Sequence, residues 1–229
     1  MFKKGLLVLG LCLAMLATQA CQSAPEQSLL KNYFSAISMN DITTMSSMAV
    51  DPMRIDAESW KVTQVSEEKI LPAPLRDMNQ KEIDLKKQFE ASSAPALDAK
   101  DTLDVAKDDF TAARTGAAKA AAKARQDEAQ KKYDAAYEAN RALVKAYNDA
   151  KEAASKEEEL MAFSLGVKQL ANIRELTGEI AMKEVQIEVK TKDNQTKNIK
   201  IVMEKYTMKD EAAGLSHRGR WIITKFETL

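Results

Sequence analysis

The side chains that most often perform catalysis or bind metals are scarce in this chain. Its 229 residues include one histidine, His217, and two cysteines, Cys12 and Cys21. A zinc site or a Cys/His nucleophile pair needs several such side chains close together. The acidic run at 157–159 does not supply a cation site either, because three consecutive helical residues cannot share one face. We therefore expect no metal, no cofactor and no catalytic residue, and interpret the acidic run as a solvated helix surface.

Cys21 is the one residue whose surroundings indicate a definite chemical modification. Lys3 and Lys4 precede an apolar stretch over 5–16, which is too short to span a bilayer at about 20 residues per crossing. Ala20 directly before Cys21 resembles a bacterial lipobox, in which a peptidase cuts before a cysteine that becomes acylated. Thr18 stands where leucine is usual in that motif. We predict a signal peptide over 1–20, lipidation at Cys21, and an anchor and linker over 21–25.

Cleavage by an ordinary signal peptidase is the alternative at this site. Thr18 and Ala20 also satisfy its preference for small residues, which would leave an exported soluble protein with a free Cys21. We favour lipidation, because Cys12 lies inside the removed segment and Cys21 then has no disulfide partner. Gln22, rather than aspartate, follows Cys21, and the sorting pattern of enteric bacteria then implies the outer membrane, facing the periplasm.

The overall composition excludes two classes of protein. The chain has 34 Lys+Arg against 34 Asp+Glu, with 45% apolar and 30% charged residues. A neutral balance argues against an electrostatic nucleic-acid binder, which needs a basic domain. The apolar fraction is too high for a disordered chain. We therefore expect a folded protein with no nucleic-acid partner.

The segment over 76–159 has the composition of a helical insertion. It holds 22 alanines, and its only glycine and proline are Gly116 and Pro95. Apolar residues follow the 4-3 spacing of a coiled coil on both sides of Gly116. The two series mirror each other, because every proposed pair of facing positions sums to 232. We predict an antiparallel helical hairpin that turns at Gly116, the residue type preferred where a helix stops.

The mirrored spacing makes specific predictions about the hairpin. Leu103 should face Ala129, and Ser92 should face Asn140 in a polar layer that fixes the register. Pro95 should cause a kink or break, with Ser92 or Ser93 capping the restarted helix. Acidic residues of the first helix should lie near basic residues of the second. They are Asp101, Asp104, Asp108 and Asp109 on one side, and Lys119, Lys123, Arg125, Lys131 and Lys132 on the other.

A single uninterrupted helix of roughly 80 residues that dimerises along its length is the alternative for this segment. The flanking segments, 26–75 and 160–229, are predicted to form one discontinuous α+β domain. Helices are expected over 26–38, from Asp41 onward, and over 160–176. Strands are expected around Trp60 and over 185–189, 199–204 and 221–226, with a turn at Asp193 and Asn194. His217 falls in the polar connection before the last strand.

The order of these elements, ending in Gly219-Arg220-Trp221-Ile222-Ile223, resembles the nuclear transport factor 2-like (cystatin-like) superfamily. That resemblance implies a curved antiparallel sheet wrapped around a helix to form a cone with an apolar pocket. The candidate pocket residues are Tyr33, Trp60, Tyr206 and Trp221.

Some members of that superfamily are isomerases or dehydratases that use an Asp base inside the cone. Here Asp51 and Asp56 could approach the pocket, but no pattern indicates that either points inward. Tyr33 lies on the apolar helix face and is interpreted as core, and His217 as a solvated loop residue. The resemblance therefore leaves small-ligand binding or isomerase chemistry as an alternative function.

The function expected from the sequence is that of a non-enzymatic envelope lipoprotein. The lipid would hold the domain close to a membrane, since only 22–25 separate Cys21 from the first helix. The helical arm would act as a scaffold or protein-interaction module, with its partner bound through 96–136. A homo-oligomer is a further expectation that the sequence leaves open.

Overall fold

A computed structural model of the protein describes residues 24–229. The chain is α+β, with a curled antiparallel sheet of six strands and a long pair of helices, which confirms the predicted fold class. It divides into two compact units. The sheet unit comprises 24–71, 180–207 and 219–229, and the helical unit comprises 72–179 and 208–218. The predicted signal peptide, Cys21 and the start of the linker lie outside the described residues.

Two very long, consecutive helices lie between two groups of shorter elements. The helices are α1 (Pro25–Ser38), α2 (Ile42–Ser46), α3 (Leu75–Ala112) and α4 (Gly116–Leu165), with a 3-10 turn at Ile173–Glu175. The strands are β1 (Ala57–Val65), β2 (Lys69–Pro72), β3 (Thr177–Thr191), β4 (Thr196–Asp210), β5 (Leu215–Arg218) and β6 (Ile222–Thr228). Strands β2 and β5, which have four residues each, are not predicted by the alternation in the sequence.

Alternating side chains on the strands build the core of the sheet unit. Val185, Ile187 and Val189 of β3 are buried against the apolar face of α1, which contributes Leu30 and Phe34. Period-2 alternation places every second strand residue on the same face, so one face of the sheet covers the helix. The buried residues of β4 and β6 join the same core: Ile199, Ile201, Met203 and Ile223.

Strand β3 pairs on one edge with β1 and β2 and on the other with β4, and β4 also pairs with β5 and β6. The register places Trp60 opposite Val189 and Ile201 opposite Phe226. Irregularities interrupt the β1–β3 ladder and, at Val202/Met203, the β4–β6 ladder. Such bulges increase strand twist, which is a physical cause for the curl of the sheet.

Local turn and cap chemistry follows the sequence closely. The Asp41 carboxylate accepts a hydrogen bond from the Thr44 backbone N–H at 3.0 Å and so caps α2, as predicted. The β3–β4 turn contains Asn194 with φ 61°, a conformation that asparagine tolerates better than most residues. The predicted turn at Asp193 and Asn194 is therefore confirmed.

The separate helix predicted over 160–176 is wrong. Helix α4 runs to Leu165 and stops at Gly166, whose φ of 70° is left-handed. Backbone bonds from Gly166 N–H to the Phe163 carbonyl and from Val167 N–H to the Ala162 carbonyl close the helix end. The apolar spacing beyond this point continues by coincidence, because a left-handed glycine ends the helix whatever the pattern around it.

Candidate functional site

Helices α3 and α4 form an antiparallel hairpin, called the arm below. At 1.5 Å per residue, their 38 and 50 residues span roughly 57 and 75 Å. The expectation that the first helix stops at Gly116 is wrong. Helix α3 already stops at Ala112, and Gly116 begins α4. Thr115 caps α4 by accepting a hydrogen bond from Ala118 N–H at 3.2 Å, and Gly116 has no positive φ.

The predicted seam and polar layer of the arm are both present. Leu103, Ala106 and Ala129 form a buried cluster, with Tyr133 packed against it. Asn140 donates a side-chain hydrogen bond to the Ser92 hydroxyl at 2.8 Å. Their numbers sum to 232, so this bond confirms the register derived from the mirrored spacing.

A pair of cysteines tests whether this seam forms within one chain. In a Cys21→Ser background, Leu103→Cys with Ala129→Cys should oxidise to a bridge within the monomer, because both residues belong to one buried cluster and a disulfide forms where Cβ atoms can come within roughly 4.5 Å. Leu97→Cys with Ala135→Cys is the matched control, since these positions have the same sum but lie off the seam, and it should bridge poorly. Non-reducing gel mobility distinguishes the products, and a bridge formed only between chains would favour the single-helix dimer.

The break expected at Pro95 is absent. Helix α3 is continuous from Leu75 to Ala112, and Ser92 and Ser93 do not cap a restarted helix. Their hydroxyls donate to the Phe89 carbonyl at 2.8 and 3.0 Å. These bonds, together with packing against α4, hold the turn that precedes Pro95 in helical form, so the missing N–H of proline does not end the helix.

Most ion pairs on the distal arm, defined here as residues 96–136, join two residues of the same helix. Arg125 and Asp109 form the one ion pair between the two helices in this described segment, at 3.6 Å. The other acidic and basic residues that were predicted to lie near one another form no ion pair between the helices in this described segment: Lys123 pairs with Asp127 and Lys132 with Glu128, four residues along the same helix. A partner one turn away is held close by the helix itself, so it outcompetes a partner on the other helix.

Arg174 links the two helices at the base of the arm. Its Nη1 lies 2.7 Å from Glu82 on α3, and its Nε lies 2.5 Å from Glu158 on α4. The hydrogen bond to the Glu158 carboxylate is the largest cause that raises the pKa of Arg174, and the hydrogen bond to Glu82 raises it further. Burial of the guanidinium lowers this pKa but does not cancel the increase. Glu158 belongs to the acidic run that was interpreted as solvated, and for this residue that interpretation is wrong.

The four candidate pocket residues occupy different environments in the sheet unit. Tyr33 is fully buried, donates to the Met53 carbonyl at 3.1 Å, and burial raises its pKa to about 12. Trp60 stacks on Phe34, with ring centroids 4.8 Å apart. Both belong to the packed core around α1.

Tyr206 lies in β4, and Trp221 directly precedes β6. The Tyr206 hydroxyl donates to Glu204 at 3.3 Å and is fully buried. Burial raises the pKa of the Glu204 carboxyl, which Thr224 also contacts at 3.4 Å. The half-buried Trp221 ring lies under the ammonium groups of Lys183 and Lys205, at 5.6 and 5.1 Å. The four predicted residues therefore do not converge on one reacting group.

The side chains weighed for acid–base chemistry are also placed apart. Asp51 and Asp56 are exposed, and Asp56 lines a surface groove of about 270 Å³ beside Arg54 and the end of α1. His217 was expected in a loop but lies in β5, because the polar connection contains a short strand. Within residues 24–229, no group of three His, Cys, Asp or Glu side chains is placed to hold a metal ion.

Two further observations bear on the chain as a whole. Across the part of the chain that the structure describes, no helix combines the length and the apolar character that crossing a membrane requires. Comparison with known protein families, curated proteins and solved structures finds no match to this chain.

Proposed function

We propose that the protein is a lipid-anchored protein of a bacterial envelope that binds a protein partner through the distal arm. The observation that carries this proposal is a helical pair with large exposed apolar side chains in the half that contains its turn. Leu97 is 58% exposed and Val105 is 62% exposed. Both lie in the predicted partner-binding segment, 96–136.

The weak seam of the distal arm fits a binding role. Alanines such as Ala122 and Ala129 fill much of the interface, and alanine buries little area at ~25 cal/mol per Å². Gln126 also occupies a seam position, and its side-chain oxygen is buried without a hydrogen-bond partner in the described chain. A buried oxygen without a partner costs about 1–3 kcal/mol. A second protein surface packed on this segment would add the burial that the hairpin itself lacks.

The membrane half of the proposal rests on the lipobox-like sequence around Cys21. Three residues separate Cys21 from Pro25, where α1 begins, so the chain between them reaches about 13 Å at most. A lipid at Cys21 would therefore keep the sheet unit beside the bilayer. We assign the protein to the outer membrane, facing the periplasm, and the sheet unit to a cone of the nuclear transport factor 2-like type.

The alternative function, a ligand or isomerase site inside that cone, receives less support. Phe34, Met45 and Met203 are buried in the core of the sheet unit, where a cone pocket would open. Glu204 has the raised pKa of a candidate acid, but its carboxylate already accepts hydrogen bonds from Tyr206 and Thr224. A filled core argues against an enclosed ligand.

Replacing 96–136 with a short Gly-Ser turn tests the proposal. We expect the sheet unit to remain folded, reported by its two tryptophans, and crosslinked partner to disappear from the protein purified from intact cells. The full-length controls carry a photoreactive residue at Val105, where capture should occur, or at Met39, an exposed site in the sheet unit where it should not. A shortened protein that captures the same partner refutes the arm as the binding site. If the shortened protein cannot fold, the comparison of Val105 with Met39 still decides.

A further inference from the structure

We propose that one end of the sheet unit lies directly on the phospholipid surface to which Cys21 anchors the chain, with Ile70 and Leu71 of β2 inserted between the lipid headgroups. This contact rests on the proposed function, because a lipid at Cys21 is what brings this end of the unit to a membrane. Three features carry it: the short tether, an ion-pair cluster at the start of α1, and exposed apolar side chains beside that cluster.

A buried ion-pair cluster holds the start of α1 against the neighbouring strands. The Nζ of Lys183 in β3 lies 3.2 Å from the Glu26 carboxylate, in the first turn of α1, and 3.6 Å from the Glu68 carboxylate, just before β2. The side chains of Lys183 and Glu26 are only 15% and 7% exposed. Separating charges this buried would leave them uncompensated, which is costly. The start of α1 is therefore fixed close to Glu68, and the tether over 22–25 reaches out from this place.

Two large apolar side chains are exposed beside this cluster. Ile70 and Leu71 follow Glu68 by two and three residues and are 59% and 47% exposed. At about 3.6 Å per residue, neither can lie more than about 11 Å from Glu68 along the backbone. The tether to Cys21 is similarly short, so a lipid there and these two side chains belong to the same end of the sheet unit.

The same end of the unit carries residue types that favour a membrane–water interface. The half-buried Trp221 ring lies 5.6 Å from the Lys183 ammonium of the cluster and 5.1 Å from the Lys205 ammonium. Lys205 has this ring contact but no ion pair in the described chain, so its ammonium can bind a lipid phosphate. Tryptophan is enriched at the level of the headgroups, and lysine extends its charged end to them while its stem packs on apolar surface. These side chains together match the chemistry of a phospholipid surface.

The rest of α1 and its far end fit the membrane less well. The solvent face of α1 is polar, with Gln27, Lys31 and Ser35 exposed, so this helix has no apolar stripe that could lie in the interface. Exposed Met39 and Ile42 lie beyond the opposite end of α1, whose 14 residues span roughly 21 Å. A unit that stands on its tethered end keeps Met39 and Ile42 away from the bilayer.

Apolar burial, rather than net charge, supplies the attraction to the membrane. Glu67 and Lys69, on either side of Glu68, are both exposed and opposite in charge, and Lys183 already pairs with two carboxylates. Removing aliphatic side chains from water is favourable whatever the charge of the lipid. The lipid at Cys21 holds these side chains at a high effective concentration near the surface, so a small apolar contact is enough. The contact should therefore form on neutral phospholipid as well as on anionic phospholipid.

Site-specific fluorescence quenching in vesicles tests this contact. The acylated chain with Ile70→Cys is purified in detergent, labelled with an environment-sensitive dye, and reconstituted into phosphatidylcholine vesicles that contain a brominated phospholipid. Cys12 lies in the predicted signal peptide and Cys21 would be acylated, so the introduced thiol is the one site for the dye. The dye should be quenched at least about twofold more strongly at Ile70→Cys than at Met39→Cys, because interfacial apolar groups lie about 5–10 Å into the boundary between headgroups and acyl chains.

Further variants keep the test decisive. Leu71→Cys should be quenched like Ile70→Cys and replaces it if that variant folds poorly. Adding Leu71→Glu to Ile70→Cys should lower the quenching, because a carboxylate opposes insertion, whereas Ile42→Glu, at a similarly exposed residue beyond the far end of α1, should not. Equal quenching at Ile70→Cys and Met39→Cys overturns the contact while the anchor at Cys21 stands. A soluble chain that carries no acyl group overturns both the contact and the membrane half of the proposed function.

Discussion

The Cys21→Ser variant should leave the membrane fraction almost completely, apart from any uncleaved precursor. Serine cannot carry the thioether-linked lipid that a lipobox cysteine receives, and each buried methylene of an acyl chain contributes about 0.8 kcal/mol to membrane binding. No helix of the described residues could cross a membrane in its place. The measurement is palmitate labelling in growing cells, followed by separation of membrane and soluble fractions.

Cys12→Ser is the matched control for the anchor. Cys12 lies in the apolar part of the predicted signal peptide, so its loss should leave both labelling and membrane retention unchanged. Labelling that persists in Cys21→Ser would contradict lipidation at this residue. An unlabelled original protein found in the soluble fraction would favour the ordinary signal peptidase alternative.

The register of the arm could be predicted because it depends on a regular local pattern. Coiled-coil spacing fixes which residues of each helix face the seam, and three residues between Ala112 and Gly116 leave little freedom in how the helices meet. The bond between Asn140 and Ser92 follows from those two facts alone. The same holds for α1, whose apolar face is legible over its whole length.

The partners of individual charges could not be read from the same pattern. Lys123 was expected near the aspartates of the opposite helix but pairs with Asp127 one turn away. An aspartate of the opposite helix and Asp127 of the same helix would both complement the charge of Lys123. The two pairings differ in the side-chain conformational entropy that is lost when each forms. Sequence spacing identifies which residues are neighbours on a helix, but it does not rank two neighbours that compete for one ammonium group.

Short elements and distant contacts were missed for a different reason. Strands β2 and β5 have four residues each, too few to show a clear alternation against the turns around them. Gly166 was overlooked as a helix end because the apolar spacing continued past it. Arg174 contacts Glu82 across 92 positions of sequence, and no local pattern relates two residues so far apart. These features depend on the assembled fold rather than on any single segment.

Arg174→Ala should destabilise the helical unit by about 3 kcal/mol. The change removes two charge-assisted hydrogen bonds, each contributing about 1.5–3 kcal/mol, and leaves Glu82 without its cation although its side chain is only 15% exposed. Circular dichroism at increasing urea follows the long helices, whereas Trp60 and Trp221 both report the sheet unit. We expect the helical transition to shift to lower urea and the tryptophan transition to move little.

Three comparisons decide whether the effect comes from the linked carboxylates. Arg141→Ala removes an exposed pair with Glu138 on the same helix and should cost about 0.5 kcal/mol or less. Arg174→Lys keeps the charge but cannot reach both α3 and α4 with a planar fork, so it should fall between the original chain and alanine. In a double-mutant cycle, Glu82→Gln should cost much less in the Arg174→Ala background than alone, because the alanine has already removed its partner. Equal costs in both backgrounds would mean that Arg174 acts through packing, and that the base of the arm does not depend on these ion pairs.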